Sequence, residues 1–335
     1  MNSTFTFRLL DGFDDPLINK DIWNELLINN PENNIFMTFQ WQKVWWEIFG
    51  RGKLLLIVAQ QEDKIIAIAP LFEDGQMIFF AGSGGSDYLD FIGNIDEPDL
   101  LDGILNMAIE QVSGFLGFRF YHVLENSKTK CNLKKVAQKK EWNFYEEGEL
   151  PAPILAIKEF PEKAEQAIRK KSLVRHEAWF AKNGILKVEH FQRSEEILPH
   201  LTEFFDQHKN RWAQTNFPSL FHDSKQQLFY RRLCETLSHT EWLRFTRVVW
   251  QDNSIAFHLG FNFRGNFLWY KPSFNISMAK RSPGEVLLRQ LILKALDEQA
   301  ITFDFGIGDE EFKKRFATNT RLVKTWGLYP KTSEK

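Results

Sequence analysis

Cysteine is nearly missing. Cys131 and Cys234 are the two present in 335 residues, which excludes a disulfide framework and leaves no zinc-site spacing. Long apolar runs are missing too: no stretch approaches the roughly 18 consecutive apolar residues of a membrane helix. The opening MNSTFTFRLLDGFDD has no basic segment followed by an apolar run, so no export signal is expected and the sequon at Asn2 is silent. A reducing, cytoplasmic setting is the expectation, without a membrane span. Excess charge of one sign is also lacking, with 42 basic against 44 acidic side chains and a net charge of -2. A DNA-binding or other polyanion surface is therefore not expected. Aromatic residues, in contrast, make up 15% of the chain, the composition of a folded protein with a large core.

Several catalytic signatures are absent as well. No His, Cys and carboxylate cluster has metal-ligand spacing, and no G-x-S-x-G elbow occurs, so neither a metal enzyme nor a serine hydrolase is expected. The FDFG at Phe303–Gly306 lacks the H-R-D loop, V-A-I-K strand and glycine-rich lid of a kinase. GSGGSDYLDF at 82–91 lacks the Lys-Ser/Thr of a phosphate loop and runs into Asp87 and Asp90 instead. A loop bending over a cleft, with Asp87, Tyr88 and Asp90 facing substrate, is the alternative.

What the chain does have is one order of elements written twice. FMTFQWQKVWWEIFG places Trp41, Val44, Trp45, Ile48 and Phe49 on one helical stripe that stops at Gly50. The segments KLLLIVAQ, IIAIAPLF and MIFFAGSG, separated by QEDK and EDGQ, read as an antiparallel meander, followed by the helix DEPDLLDGILNMAIEQV and the strand FLGFRFYHVL. The same order returns in EWLRFTRVVW, IAFHLGFNF and FLWYKPSF, with turns QDNS and RGN, then the helix SPGEVLLRQLILKALDEQ and the strand ITFDFG. Matching elements lie about 185 to 190 residues apart, which predicts an internal duplication. The fold class expected is α/β (α+β): two tandem domains, 1–150 and 151–335, each a mixed, mostly antiparallel sheet flanked by helices. Pro151 and Pro153 mark the boundary.

Chemistry is expected in the second half. Ser282 and Glu285 match the S-x-x-E capping box, with Pro283 at the first helical position. The helix start, beside Lys280 and Arg281, suits a phosphate or pyrophosphate, although Glu285 itself repels an anion. FLWYK is expected to stop at Pro272, where strand pairing ends and a cleft opens. The matching helix of the first half is ringed by Asp96, Glu97 and Asp99, so only the second half is expected to hold a phosphorylated ligand. AEQAIRKKSLVRHEAWFAKNG reads as one helix ending at Gly184, whose cluster of Arg169, Lys170, Lys171, Arg175 and His176 forms a solvated face or a wall for an anionic substrate. His258, within IAFHLGF, is either a candidate base or a hydrogen-bonded interior histidine. In FDFGIGDEEFKKRF, Asp309 is expected to cap the helix EEFKKRFA, Phe312 and Phe316 to pin it, and Glu310 to pair with Lys314. Asp304 and Lys313 have no structural role in that scheme and are assigned to the acceptor side of a cleft.

These residues resemble a family. A strand meander followed by RSPGEV, a helix and a strand is similar to the acetyl-CoA-binding core of the GNAT N-acyltransferases, whose loop reads [QR]-x-x-G-x-[GA]. Arg281 and Gly284 fill the first two fixed places, and Val286 stands in the third. Over nearly the whole chain, FMTFQWQKVWWEIFG, SDYLDFIG, RKKSLVRHEAWFAKNG, SPGEVLL and FDFGIGDEEFKKRF resemble the CelD-like acetyltransferases of bacterial cellulose and exopolysaccharide synthesis, which carry two GNAT-like units. The Fem-type aminoacyl transferases share the tandem plan and a Phe-Lys near the C-terminus, here Phe312 and Lys313.

The resemblance implies a CoA-dependent N-acyltransferase acting on an amine of a sugar, polysaccharide or cell-envelope precursor, with acetyl-CoA or another acyl-CoA as co-substrate and no metal. It places the cofactor on Trp269, Lys271, Lys280, Arg281, Ser282, Gly284, Glu285 and Val286, and substrate near Asp87, Tyr88, Asp90, Arg175 and Asp309. It leaves Asp304, Lys313, His258 and Tyr270 as the catalytic group, with Asp309, Glu310, Asp87 and Asp90 as further candidates for the base; the leaving thiolate, protonated in relatives by a tyrosine in place of Phe312, takes its proton here from a group such as Tyr270 or needs none. Two alternatives remain. One is a Fem-like transfer from aminoacyl-tRNA, supported by the basic stretch 169–182. The other is a catalytically silent subunit of a polysaccharide-synthesis machine, favoured by Glu285, Val286 and Phe312.

Overall fold

The computed structural model describes residues 5–213 and 215–331. The chain divides into two compact units: the first runs to Pro151 and takes the chain back from Arg321 onward, and the second is Ala152–Thr320.

The first unit begins with β1 (Phe5–Leu10), α1 (Lys20–Ile28) and α2 (Phe39–Phe49). Each helix starts where a polar side chain takes up its loose amides: Asn19 accepts from Asp21 and Ile22, and Thr38 from Trp41. Trp41, Val44 and Trp45 are buried, as their spacing predicts. The meander follows as β2 (Lys53–Gln61), β3 (Lys64–Asp74) and β4 (Met77–Phe80). Its turns have two central residues at positive φ, Glu62 with Asp63 and Gly75 with Gln76, the geometry whose twist matches flanking strands. After β5 (Ile92–Gly93), α3 (Pro98–Glu110) carries the chain across to β6 (Gly117–Leu124), which pairs with β4 in parallel. A crossover helix is what a parallel pair requires. α4 (Lys128–Lys139) and β7 (Asn143–Leu155) complete the run, and the division between units falls inside β7.

The second unit adds α5 (Pro161–Ile168) and α6 (Lys171–Asn183) and then repeats the plan. β8 (Leu186–Phe191), the one-turn α7 (Ser194–Ile197), α8 (Leu201–Trp212) and α9 (Ser224–Thr236) lead to the meander β9 (Leu243–Trp250), β10 (Asn253–Phe263) and β11 (Asn266–Phe274). Its turns again have two residues at positive φ, Gln251 with Asp252 and Arg264 with Gly265. α10 (Pro283–Asp297) then crosses to β12 (Thr302–Asp304), parallel to β11. Leu287, Leu291, Ile292 and Ala295 of α10 bury one stripe against Phe267, Phe303 and Phe305. Each leucine, isoleucine or phenylalanine so withdrawn from water contributes roughly 1.5–3 kcal/mol of favourable transfer energy. α11 (Glu311–Lys314) is a single turn, and β13 (Asn319–Tyr329) pairs antiparallel with β6 in the first unit. Within each unit the strand pairing is thus mixed and mostly antiparallel with helices against it, the GNAT-like fold expected.

Four local expectations fail. Ser282 sits in the left-handed region at φ 55 and makes no side-chain cap bond, so the capping box does not form, although Pro283 does open the helix. Pairing of β11 with β10 continues through Pro272 to Phe274, because proline costs a strand only the one amide it lacks. The helix expected over 164–184 is broken at Arg169 and Lys170 into α5 and α6. Asp309 caps nothing: Glu310 precedes α11, Lys314 pairs with Glu311, and Glu310 pairs with Lys313.

Candidate active site

β11 and β12 run side by side for three residues, Asn266–Leu268 against Thr302–Asp304. β12 then ends, and the chain turns away at Gly306 and Gly308, both at positive φ. β11 continues to Phe274 with β10 on one side, and β12 covers none of Trp269–Phe274 on the other. A strand edge that loses its neighbour midway leaves a wedge. The start of α10 stands at the far end of that edge: a Cβ on Gly284 would lie 3.2 Å from the Phe274 ring.

The first turn of α10 is more hospitable to an anion than its sequence suggests. Glu285 lies 3.4 Å from His176 Nε2 and 3.6 Å from Arg315 Nη1, so its charge is partly answered. Lys280 and Arg281 are exposed beside it, and the Arg281 guanidinium rests 4.2 Å over the Trp179 ring. Val286 is wholly buried in the core, so its side chain does not line the exposed face of that turn. In the first unit, Asp96 and Asp99 near the start of α3 pair with Lys128 and Lys139.

The other flank of β11 is built by α8 and α9. Arg211 Nη1 donates to the Pro272 carbonyl at 3.1 Å, with its guanidinium 4.6 Å over Phe274. Burial lowers the Arg211 pKa, and the Glu310 carboxylate works against that shift. His208 is pushed down to about 3 by burial, with the charges of Lys271 and Arg211 adding to the shift; its Nδ1 lies 2.8 Å from Ser219 Oγ. The Tyr230 hydroxyl donates to that of Tyr270 at 3.2 Å, and Lys271 Nζ lies 3.9 Å over the Tyr270 ring.

The sequence-derived residues fall into three sets. Tyr270, Lys271, Gly284, Glu285, Lys280 and Arg281 border the β11 edge or the α10 start. A second set is committed to internal bonds. His258 is fully buried and pushed to about 3 by desolvation, and its Nε2 accepts the Tyr270 amide at 3.2 Å. It lies over Gly260, where a Cβ would come within 2.3 Å of its ring at a bulge in β10. Asp304 is fully buried and accepts from Gly306 N–H at 2.8 Å. Lys313, 4% exposed, donates to the Ile307 carbonyl at 2.9 Å and pairs with Glu310 at 2.8 Å. Trp269 packs into the core by Phe303 and Phe312. In the third set Arg175 and Asp309 are exposed, while Asp87, Tyr88 and Asp90 belong to the first unit. There the Tyr88 hydroxyl accepts from Arg321 at 3.0 Å, and Asp90 is held by the Ser127 and Thr129 hydroxyls and the Phe91 amide.

Arg211, His208 and Tyr230 carry no signal in the sequence. Arg211 looks like any cation in the last turn of a helix, and only its contact with Pro272 distinguishes it. Among the described residues no His, Cys, Asp and Glu group could hold a metal ion, and no helix is long and apolar enough to cross a membrane.

Residues 167–314 match the family model of an acetyltransferase (GNAT) domain. No curated protein matches the chain. Among solved structures the fold is similar to that of FemX, with TM-score 0.66 at 12% identity over 93% of this chain and 96% of that one. It is also similar to a conserved protein of unknown function from Bacteroides thetaiotaomicron VPI-5482, with TM-score 0.61 at 13% identity over 98% and 100% of the two chains. A third similar fold is L-PGS from Bacillus licheniformis, with TM-score 0.58 at 15% identity over 97% and 94%.

Proposed function

We propose that this chain is a GNAT-type N-acyltransferase using an acyl-CoA, with its donor site in the second unit, residues 152–320, and an amine of a sugar or cell-envelope precursor as acceptor. The observation that carries this reading is the parting of β11 from β12 beside the start of α10. The match of 167–314 to an acetyltransferase domain supports it. The residues fit the donor: exposed Lys280 and Arg281 flank a helix start whose one acid, Glu285, lies 3.6 Å from Arg315 Nη1, an arrangement suited to a pyrophosphate.

In the reaction the acceptor nitrogen attacks the thioester carbonyl, a C–N bond forms, the C–S bond breaks, and the thiolate takes a proton. The protein supplies position and charge. We assign the leaving-group proton to the Tyr270 hydroxyl, which is backed by Tyr230. His258 and His208, near 3, are neutral at pH 7 and too weak to deprotonate an ammonium. We assign Glu310, half exposed beside Lys313 and near enough to Arg211 for its charge to act on that guanidinium, as the base.

Calorimetry with acetyl-CoA tests the donor site. Binding is expected, and Gly284→Asp, which adds an acid to the first turn and crowds Phe274, is expected to weaken it about tenfold or more. No binding at millimolar acetyl-CoA sinks the proposal. Tyr270→Phe is expected to lower kcat by about 10²-fold with KM unchanged; a raised KM with kcat unchanged would place Tyr270 in binding instead.

A second reading, transfer of an aminoacyl group, is favoured by the fold similarity to FemX along nearly all of both chains. Acyl transfer from aminoacyl-tRNA with no turnover of acetyl-CoA would select it.

A further inference from the structure

Away from the parted strands, the second unit contains a cavity of about 440 Å³ between α5, Lys170 and the chain that follows α11. Its walls carry three cations, Lys163, Lys170 and Arg315, and no acid. Arg315 has a carboxylate nearby, Glu285 at 3.6 Å; among the described residues Lys163 and Lys170 have no ion-pair partner. Lys170 Nζ lies 5.0 Å and the Arg315 guanidinium 5.6 Å over the same ring, that of Phe316. Three cations converging on one hollow repel each other unless an anion enters.

The apolar part of the lining is as informative as the charge. Phe160, Ala167 and Phe316 offer flat apolar surface, and Gln166 offers one amide donor and one carbonyl acceptor. Cations of this kind hold a phosphate, aromatic faces hold a planar ring, and a carboxamide reads a ring edge. The volume suits a molecule with both parts. Phe160, Lys163, Gln166, Arg315 and Phe316 lie outside the span 167–314 that matches the acetyltransferase domain, and Ala167 and Lys170 lie inside it, so the pocket straddles the edge of that match.

We propose that this pocket binds a nucleoside phosphate. Two sources share that chemistry. One is the nucleotide end of the acyl donor, which rests on the function proposed above and is suggested by the contact of Arg315 with Glu285 in the first turn of α10. The other is a free nucleotide acting as a regulator.

The test is calorimetry on the full chain with adenosine 3′,5′-bisphosphate, CoA and dephospho-CoA as probes, comparing wild type with Lys163→Glu/Lys170→Glu. The bisphosphate is expected to bind wild type, and the double variant to weaken it about tenfold or more. Retained far-UV circular dichroism and melting temperature show that the variant is folded, and Lys163→Gln/Lys170→Gln repeats the test without adding acid. Competition between CoA and the bisphosphate, with dephospho-CoA weaker than CoA, makes the donor the source. Bisphosphate binding lost in the variant while CoA binding is unchanged makes it a free nucleotide. Bisphosphate binding without any CoA binding removes the acyltransferase reading and leaves the pocket standing. Absence of bisphosphate binding, or binding indifferent to both double variants, overturns the proposal.

Discussion

Lys313 shows how a charged residue in an unpromising place is explained by its partners. Its ammonium sits under the turn at Gly308, joined to the Ile307 carbonyl and to Glu310, so it closes the loop that leaves β12. Glu310 keeps half its surface in water and loses little without its partner, whereas the Ile307 carbonyl would lose a charged donor. Lys313→Met, which keeps the bulk, is therefore expected to cost about 1–3 kcal/mol in urea unfolding; a change under half a kilocalorie would remove the lysine from the turn. Asp304 is the comparable case. Asp304→Asn retains an oxygen for the Gly306 amide, whereas Asp304→Ala does not and is expected to lose about 1 kcal/mol more. Equal losses would show that the carboxylate's charge, and not this bond, fixes the position.

At the scale of elements, the repeated meander was legible because its information is local. Short apolar runs separated by QEDK, EDGQ, QDNS and RGN call for tight turns with two residues at positive φ, and each turn has them. The capping box at Ser282 failed for a reason no motif encodes: the preceding 3₁₀ turn, Ile276–Arg281, delivers the chain into a left-handed Ser282 that cannot reach the helix amides. A left-handed non-glycine residue costs roughly 1–2 kcal/mol, so Ser282→Gly is expected to raise stability by about 0.5–1 kcal/mol. A loss instead would mean the serine hydroxyl holds the loop. β13 and the bulge over which His258 lies were invisible for a related reason. The strand depends on a partner far along the chain, β6, and the bulge on a one-residue slip in the β10–β11 register, and neither leaves a periodic trace. The candidate site was legible as a place, at 269–286, while its α8 and α9 flank was not.

At the scale of the whole molecule, three buried titrating groups set how the protein answers acid. His208 and His258 are both lowered to about 3, chiefly by burial, while burial raises Asp90 to about 6. For each histidine the unfolded chain binds the proton more tightly, so the stability it contributes is present above about 6.5 and is lost as pH falls toward 3. For Asp90 the folded chain binds the proton more tightly, so its effect runs the other way, and stability falls as pH rises from about 4 to about 6. Two groups with the larger shift outweigh one with the smaller. Stability is therefore expected to fall on acidification below pH 6.5, each histidine contributing up to about 1.4 kcal/mol per pH unit. Urea unfolding between pH 4.5 and 7.5 measures this directly. His258→Gln, whose side-chain oxygen can still accept the Tyr270 amide, and His208→Gln are each expected to flatten the slope, and Asp90→Asn to steepen it. Slopes unchanged in both glutamine variants would show that the imidazoles take up protons in the folded state, which would return His258 to the list of bases available to the reaction.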